Sequence, residues 1–355
     1  MSLIDEAGGV RNGEELDIAG VDRYLKSALS GLEGELRITQ FPGGASNLTY
    51  LLQYDNRELI LRRPPFGKKA KSAHDMVREA HIMQALKPVY RYVPDVLVLC
   101  EDEAVMGCDF YVMSRIRGVI PRQNFPAELA LTPVTTRALC LSVIDKLIEL
   151  HKVDVEKAGL SALGKGQGYV ARQVSGWSER FRAARTPDVN DFEGVMGWLQ
   201  EKKPATEMAI TLIHNDFRFD NVVLNPEQPS EVIGVLDWEM ATLGDPLMDL
   251  GSSLAYWVQA DDDPFFQLMR RQPTTEPGML TRQEVIDYYA EKTGYKVDHF
   301  DFYTIYGLFR LAVIIQQIYY RFYHGQTQDK RFAMFGQIAN YLEQRCLRLI
   351  GESAI

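Results

Sequence analysis

Two short stretches of this 355-residue chain hold side chains that could do chemistry together. One is Ile213-His214-Asn215-Asp216-Phe217-Arg218-Phe219-Asp220-Asn221 and the other is Val235-Leu236-Asp237-Trp238-Glu239. They place an Asp, an Asn five residues on, and a second Asp at the end of a β-type run. Phosphoryl transfer asks a protein for positioning and charge compensation more than for covalent work. A carboxylate at Asp216 can take the proton of an attacking hydroxyl. An amide oxygen at Asn221 and a carboxylate at Asp237 are hard ligands suited to Mg²⁺, which keeps its other positions for water and phosphate.

The elements that would hold these groups can be read locally. Val222-Val223-Leu224 and Glu231-Val232-Ile233-Gly234-Val235-Leu236 are apolar and β-branched, and Asn225-Pro226-Glu227-Gln228-Pro229-Ser230 between them is rich in turn formers. This predicts an antiparallel hairpin with Asn221 and Asp237 together at its open end. An Asp/Asn-rich loop alone is ordinary turn chemistry. The order His-x-Asp-x₄-Asn, strand, turn, strand, Asp is more specific than either half. His214 follows an apolar run and reads as a buried loop brace rather than a catalyst.

Residues 212–250 resemble the aminoglycoside phosphotransferase-like small-molecule kinases, relatives of choline kinases and more distantly of protein kinases. The similarity is carried by His214-Asn215-Asp216-Phe217-Arg218-Phe219-Asp220-Asn221 and by Asp237-Trp238-Glu239-Met240-Ala241-Thr242-Leu243-Gly244-Asp245-Pro246. It is closer to the branch associated with acyl-CoA dehydrogenases, and weaker echoes run from about residue 38 to 332. The resemblance implies ATP as donor, Asp216 as catalytic base, and Asn221 and Asp237 as holders of Mg²⁺. It further implies a connector, Met113-Ser114-Arg115-Ile116-Arg117-Gly118, beside the adenine, with Met113 and Arg115 at the nucleotide.

Composition bounds the alternatives. The hydrophobic share is 46%, the charged share 25% and the net charge −9. These are values for a globular chain without the basic stripe of a nucleic-acid binder. Cys100, Cys108, Cys140 and Cys346 show neither metal-ligand nor redox spacing, which suits a reducing compartment. The start lacks the pattern of a secretory signal, and no apolar run approaches a membrane span. A cytoplasmic protein with no nucleic-acid or membrane partner is expected, and its oligomeric state is left open.

Along the chain, residues 1–14 read as a loose tail rich in Gly and charge. A helix is predicted over 17–29, strands over 36–41, 48–54 and 58–62, a helix over 73–86, and strands over 95–100 and 110–114. After residue 118 the pattern is mostly helical, and Thr132-Pro133 opens a helix with Leu139, Val143, Leu147 and Leu150 on one face. The expected fold class is α+β, a protein-kinase-like bilobal fold. A nucleotide-binding lobe spans 1–114 with five antiparallel strands, a hinge 115–118, and a catalytic, acceptor-binding lobe 119–355. Ligand sites favour the cleft such lobes leave.

In the small lobe, Gly43 and Gly44 would let backbone N–H groups approach phosphates, with Ser46 and Asn47 adding donors. The third strand places Arg62 where related kinases carry Lys, with Glu79 as its partner on the next helix. An exposed strand cation is the plainer reading of Arg62. For the acceptor wall the candidates are Arg172, Trp177, Arg180, Arg310 and Tyr319, with Gln173 and Gln316. Asp245 and Asp249 read as helix caps, and Asp261-Asp262-Asp263 as a solvated loop. The cationic and aromatic candidates favour a hydroxyacyl-CoA as the small-molecule hydroxyl acceptor over an aminoglycoside or amino alcohol. The Arg-for-Lys change keeps a silent nucleotide-binding regulator in play.

Overall fold

The structure, a computed structural model, describes residues 3–42, 47–67 and 75–355. In chain order its elements begin with α1 (Ile18–Ala28), β1 (Arg37–Gln40), β2 (Leu48–Gln53), β3 (Glu58–Arg63), α2 (Met76–Leu86), β4 (Val96–Cys100), α3 (Glu103–Met106) and β5 (Phe110–Ser114). There follow α4 (Pro133–His151), α5 (Tyr169–Ala183), α6 (Glu193–Lys202), β6 (Thr211–Ile213), β7 (Val222–Leu224), β8 (Val232–Val235) and β9 (Thr242–Gly244). The chain ends with α7 (Pro246–Leu254), α8 (Pro264–Leu268), α9 (Arg282–Thr293), α10 (Phe300–Tyr323) and α11 (Phe335–Glu352). Contacts divide it into two compact units. The first comprises Met1–Leu131, Glu156–Leu160 and Phe219–Ala241, so the motif hairpin groups with the sheet; the second comprises Thr132–Val155, Ser161–Arg218 and Thr242–Ile355.

In the first unit the five strands form one antiparallel sheet in the order β1-β2-β3-β5-β4. Side chains alternate across a strand, so one residue's shift would exchange the faces. Tyr50 and Leu52, Leu59 and Leu61, and Phe110 and Val112 point into a core shared with Val21 and Leu25 of α1. Their neighbours Ile60, Arg62, Tyr111 and Met113 therefore take the other face, where they line a cavity with Glu79 and Met83 of α2. The predicted hairpin forms as β7 and β8, antiparallel with a bulge. It is tied to the residue just past the connector by Val119 N–H to Leu224 O (2.9 Å) and Leu224 N–H to Val119 O (2.8 Å). A Cβ at Gly118 would lie 2.4 Å from the Leu224 carbonyl oxygen, so the crossing requires glycine there.

The N-terminal segment departs from expectation. Gly8 pairs with Gln40 of β1 through two backbone hydrogen bonds (2.9 and 3.0 Å). The buried Gln40 side chain accepts from Arg11 N–H (2.9 Å) and donates to Glu14 Oε2 (2.6 Å), while the Tyr50 hydroxyl donates to Glu14 O (2.7 Å). β1 is an edge strand whose backbone groups need partners, and composition does not reveal that this segment supplies them.

The second unit is built around α10, packed against α5, α7 and α11. Gly251 of α7 and Gly307 of α10 meet back to back; a Cβ on either would fall within 2.4 Å of the opposing backbone. Small residues at a helix crossing let the axes approach. Thr132 and Thr135 form a capping box for α4, with Pro133 at the first position, and Leu139, Val143, Leu147 and Leu150 are buried as the spacing predicts. The solvated reading holds for the exposed Asp261 and is corrected for Asp262 and Asp263. Asp262 takes Arg282 (2.6 Å) and Arg345 (2.7 Å), and Asp263 caps α8 and accepts from Tyr341 (2.5 Å). Arg345 lies 83 positions beyond Asp262 in the sequence, so local charge patterning cannot show the pairing.

Candidate active site

In the first unit, Asn221 and Asp237 come together as the hairpin predicts, because Leu236 N–H bonds to the Asn221 carbonyl (2.8 Å) at its open end. Both line the cavity under the sheet, whose volume is ≈ 200 Å³. Asp237 has φ +67°, a left-handed conformation uncommon outside glycine and more accessible to Asp than to most residues. Such outliers cluster where a side chain must be aimed.

Arg62 is not an exposed strand cation; it is buried at 8% exposure. Its guanidinium forks, Nη1 to Glu79 Oε1 (2.9 Å) and Nη2 to Asp237 Oδ1 (3.0 Å), with Glu239 Oε2 at 3.9 Å. Burial alone would lower its pKa, but Glu79, Tyr111, Asp237 and Glu239 drive it well above its ordinary range. The fully buried Glu79 is raised as well: burial lifts its carboxyl, and Arg62 offsets part of the rise. Glu79 also accepts from the Trp238 N–H (3.2 Å), so α2 fixes the backbone one residue past Asp237. Arg78, which sequence reasoning passed over, donates to the carbonyls of Glu239 (3.0 Å) and Ala241 and closes the same turn. Asn47 donates to Glu239 Oε2 (2.7 Å). Gly43, Gly44 and Ser46 lie outside the described residues.

Met113 and Arg115 also line the cavity. Arg115 pairs with Glu58 (2.8 Å) and donates to the Asp5 carbonyl (2.8 Å).

In the second unit, Asp216 is held by its own loop. Arg218 reaches both of its carboxylate oxygens (3.1 and 3.2 Å) and lies over the Tyr256 ring. The Asp216 N–H donates to His214 Nδ1 (3.2 Å), and His214 is fully buried, the brace expected of it. Asp249, expected only to cap α7, does something else. Its carboxylate accepts the consecutive N–H groups of His214 (2.7 Å) and Asn215 (2.8 Å). His151 Nε2 of α4 adds a contact (3.1 Å), with the Tyr289 hydroxyl on Nδ1 (2.6 Å). Burial would raise the Asp249 carboxyl, but His151 and the His214 N–H keep it below the usual carboxylate range. Asn215 has φ +65°; Tyr169 donates to its side chain (3.1 Å) and Arg310 to its carbonyl (2.8 Å). Asp245 is the cap predicted, accepting from Leu247 N–H (2.8 Å).

The acceptor candidates separate. Arg180 and Arg310 lie over the Trp177 ring at 4.6 and 5.3 Å, an arrangement that favours cation–π attraction. Arg172 is turned to the carbonyls of Gly166 and Gln167, Tyr319 to Asp188, and Gln316 to Ala184 and Thr186.

A model of the phosphotransferase enzyme family matches residues 37–283. The chain belongs to that family. Its curated relatives include acyl-CoA dehydrogenase family member 10 of Mus musculus, 35% identical over 91% of this chain and 30% of that protein. Family member 11 of Homo sapiens is 30% identical over 94% of this chain and 43% of that protein. The chain thus spans less than half the length of either relative. A solved protein of Ralstonia eutropha, described as a candidate aminoglycoside phosphotransferase, is 25% identical with a TM-score of 0.81, covering 96% of this chain and 100% of its own. The choline kinase of Cryptosporidium parvum shares the fold at 12% identity and TM-score 0.66, covering 95% and 96%. So does APH(2'')-IIIa, solved with GDP and kanamycin, at 13% and 0.61, covering 92% and 98%. This family member is a small-molecule kinase with a protein-kinase-like α+β fold. Residues 238–245 alone separate Asp237 from α7, leaving no length for the long activation loop of a protein kinase. Among the described residues no helix is long and apolar enough to cross a membrane.

Proposed function

We propose that this kinase transfers the γ-phosphoryl group of Mg²⁺-bound ATP to a hydroxyl of a small anionic acceptor, a hydroxyacyl-CoA foremost. The observation that carries the reading is the cavity beneath the sheet, apolar along Ile60, Met83, Met113 and Leu236 and polar at Arg62, Asn221 and Asp237. A lining with both kinds of side chain suits a nucleotide, its base against the apolar ones and its phosphates toward the cation and the metal ligands. Among the described residues no three His, Cys, Asp or Glu side chains gather to hold a metal. One carboxylate and one amide oxygen fit Mg²⁺ that completes its shell with phosphate and water. When bound, the ion supplies compensation for charge on the phosphate oxygens.

The residues then divide the work. Asp216 accepts the hydroxyl proton while the acceptor oxygen bonds to phosphorus and the bond from phosphorus to the β–γ bridging oxygen breaks. Arg62 contributes charge toward the donor phosphates. Its pairing with both Glu79 and Asp237 supports an active arrangement rather than a silent one.

For the acceptor, Trp177, Arg180 and Arg310 form a cationic and aromatic cluster suited to an anion. Asp262 and Asp263 are committed to arginines and a tyrosine, which removes the strongest acidic attraction for a polycation. The dehydrogenase names of the relatives favour an acyl-CoA acceptor. The four cysteines are buried thiols rather than disulfides, as a reducing cytoplasm would keep them. The test is Mg²⁺·ATP turnover with hydroxyacyl-CoA thioesters, aminoglycosides and amino alcohols. Saturable phosphorylation of a hydroxyacyl-CoA is expected. Turnover of kanamycin-like compounds alone would replace the acceptor and leave the kinase in place.

A further inference from the structure

Ile4 and Asp5 line the same cavity as Met113, Arg115 and Arg122, although they precede the sheet by some thirty residues. They are fastened there. The Asp5 carbonyl accepts from Arg115 (2.8 Å), and its carboxylate pairs with Arg122 (2.8 Å). Arg115 is itself half-buried, pairs with Glu58 at the start of β3 and lies 5.9 Å from the Phe41 ring centroid. A little further on, the Gly8–Gln40 pair zips the segment to β1. The segment is thus anchored at two points: by backbone pairing at the sheet edge through Gly8, and at Asp5 by Arg115 within the connector and Arg122 just beyond it.

We infer that residues 3–7 form a strap that closes the base-and-sugar end of the nucleotide site, with Ile4 packing against the bound base and Asp5 latched through Arg115 and Arg122. The inference rests on the nucleotide reading above. The strap is remote from the phosphate end, marked by Arg62, Asn221 and Asp237. It holds the nucleoside and leaves the triphosphate contacts alone. Nucleotide entry and exit require the Asp5 latch to open, so the strap also slows exchange.

The experiment compares the full chain with a variant lacking residues 3–7 and with Ile4→Ser, which keeps the backbone latch. Each is titrated with a fluorescent ATP analogue and then competed with Mg²⁺-tripolyphosphate, which lacks base and sugar. Removing the packed aliphatic side chain should weaken the analogue by about tenfold and speed its dissociation correspondingly. Tripolyphosphate should compete equally in all three proteins. Unchanged analogue affinity in both variants would overturn the strap. Equal weakening of analogue and tripolyphosphate would overturn it too, by marking a general loss of structure. If the full chain binds no nucleotide at all, the functional reading fails first and takes the strap with it. Binding by the full chain with no change in the variants defeats the strap alone.

Discussion

At the scale of single residues, Arg62 decides between a working and an ornamental site. The sequence supplied its position and the partner Glu79, but the strand alone left an exposed cation as a competing reading. The second partner, Asp237, lies 175 positions away and becomes apparent only when the hairpin folds under the sheet. Burial of this network gives the substitution a clear sign. Arg62→Met leaves Glu79 buried without its cation, which should cost about 3–5 kcal/mol of stability along with nucleotide affinity. Arg62→Lys keeps the charge but one ammonium cannot reproduce the fork, so affinity should fall modestly while the fold holds. Chemical unfolding and nucleotide titration of the two variants check this. A Met variant as stable and as competent as the wild type would return Arg62 to the surface-cation reading.

At the scale of elements, strand alternation was the most legible feature. The β-branched runs located every strand of the sheet to within a residue or two, and 110–114 in full. Thr132-Pro133 marked the start of α4 for the same local reason. What stayed hidden was pairing between distant elements. Asp249 sits one turn into α7 and reads as a cap, yet its carboxylate holds the loop that presents Asp216. Asp249→Asn would set an NH₂ group against one of those two N–H groups and cost about 3 kcal/mol. The expected readout is a large fall in kcat with nucleotide affinity nearly unchanged, since Asn221, Asp237 and Arg62 belong to other elements. A variant that lost nucleotide affinity and kept kcat would contradict that role.

At the scale of the whole molecule, family and fold were legible from the motif order, while the N-terminal segment and the Asp262–Arg345 network were not, both depending on contacts that no local pattern encodes. Burial also sets a pH signature. Asp245 is pushed up to about 6 by its burial, above its ordinary 3.8. A carboxyl raised in the folded state contributes most below its unfolded pKa, and that contribution is lost as pH rises through the folded value. Replacing it with Asn removes the charge-burial cost and keeps a capping oxygen for Leu247, while the NH₂ it sets against the Met208 N–H is an offset independent of pH. The stability of Asp245→Asn relative to wild type should therefore improve by about 1 kcal/mol between pH 5 and 7.5. Urea denaturation at the two pH values measures it; a constant difference would mean that Asp245 is charged in both.

The proposed function requires Asp216 to act as a base in a chain that also binds Mg²⁺·ATP. The most direct measurement follows transfer of labelled γ-phosphate to a hydroxyacyl-CoA by wild type and by Asp216→Asn, with ATP affinity determined for both. The account predicts a labelled ester with wild type, a rate lower by roughly 10²–10⁴-fold in the variant, and nearly equal ATP affinities. Near-normal transfer by Asp216→Asn, or ATP binding by wild type with no transfer to any hydroxyl acceptor, would contradict it.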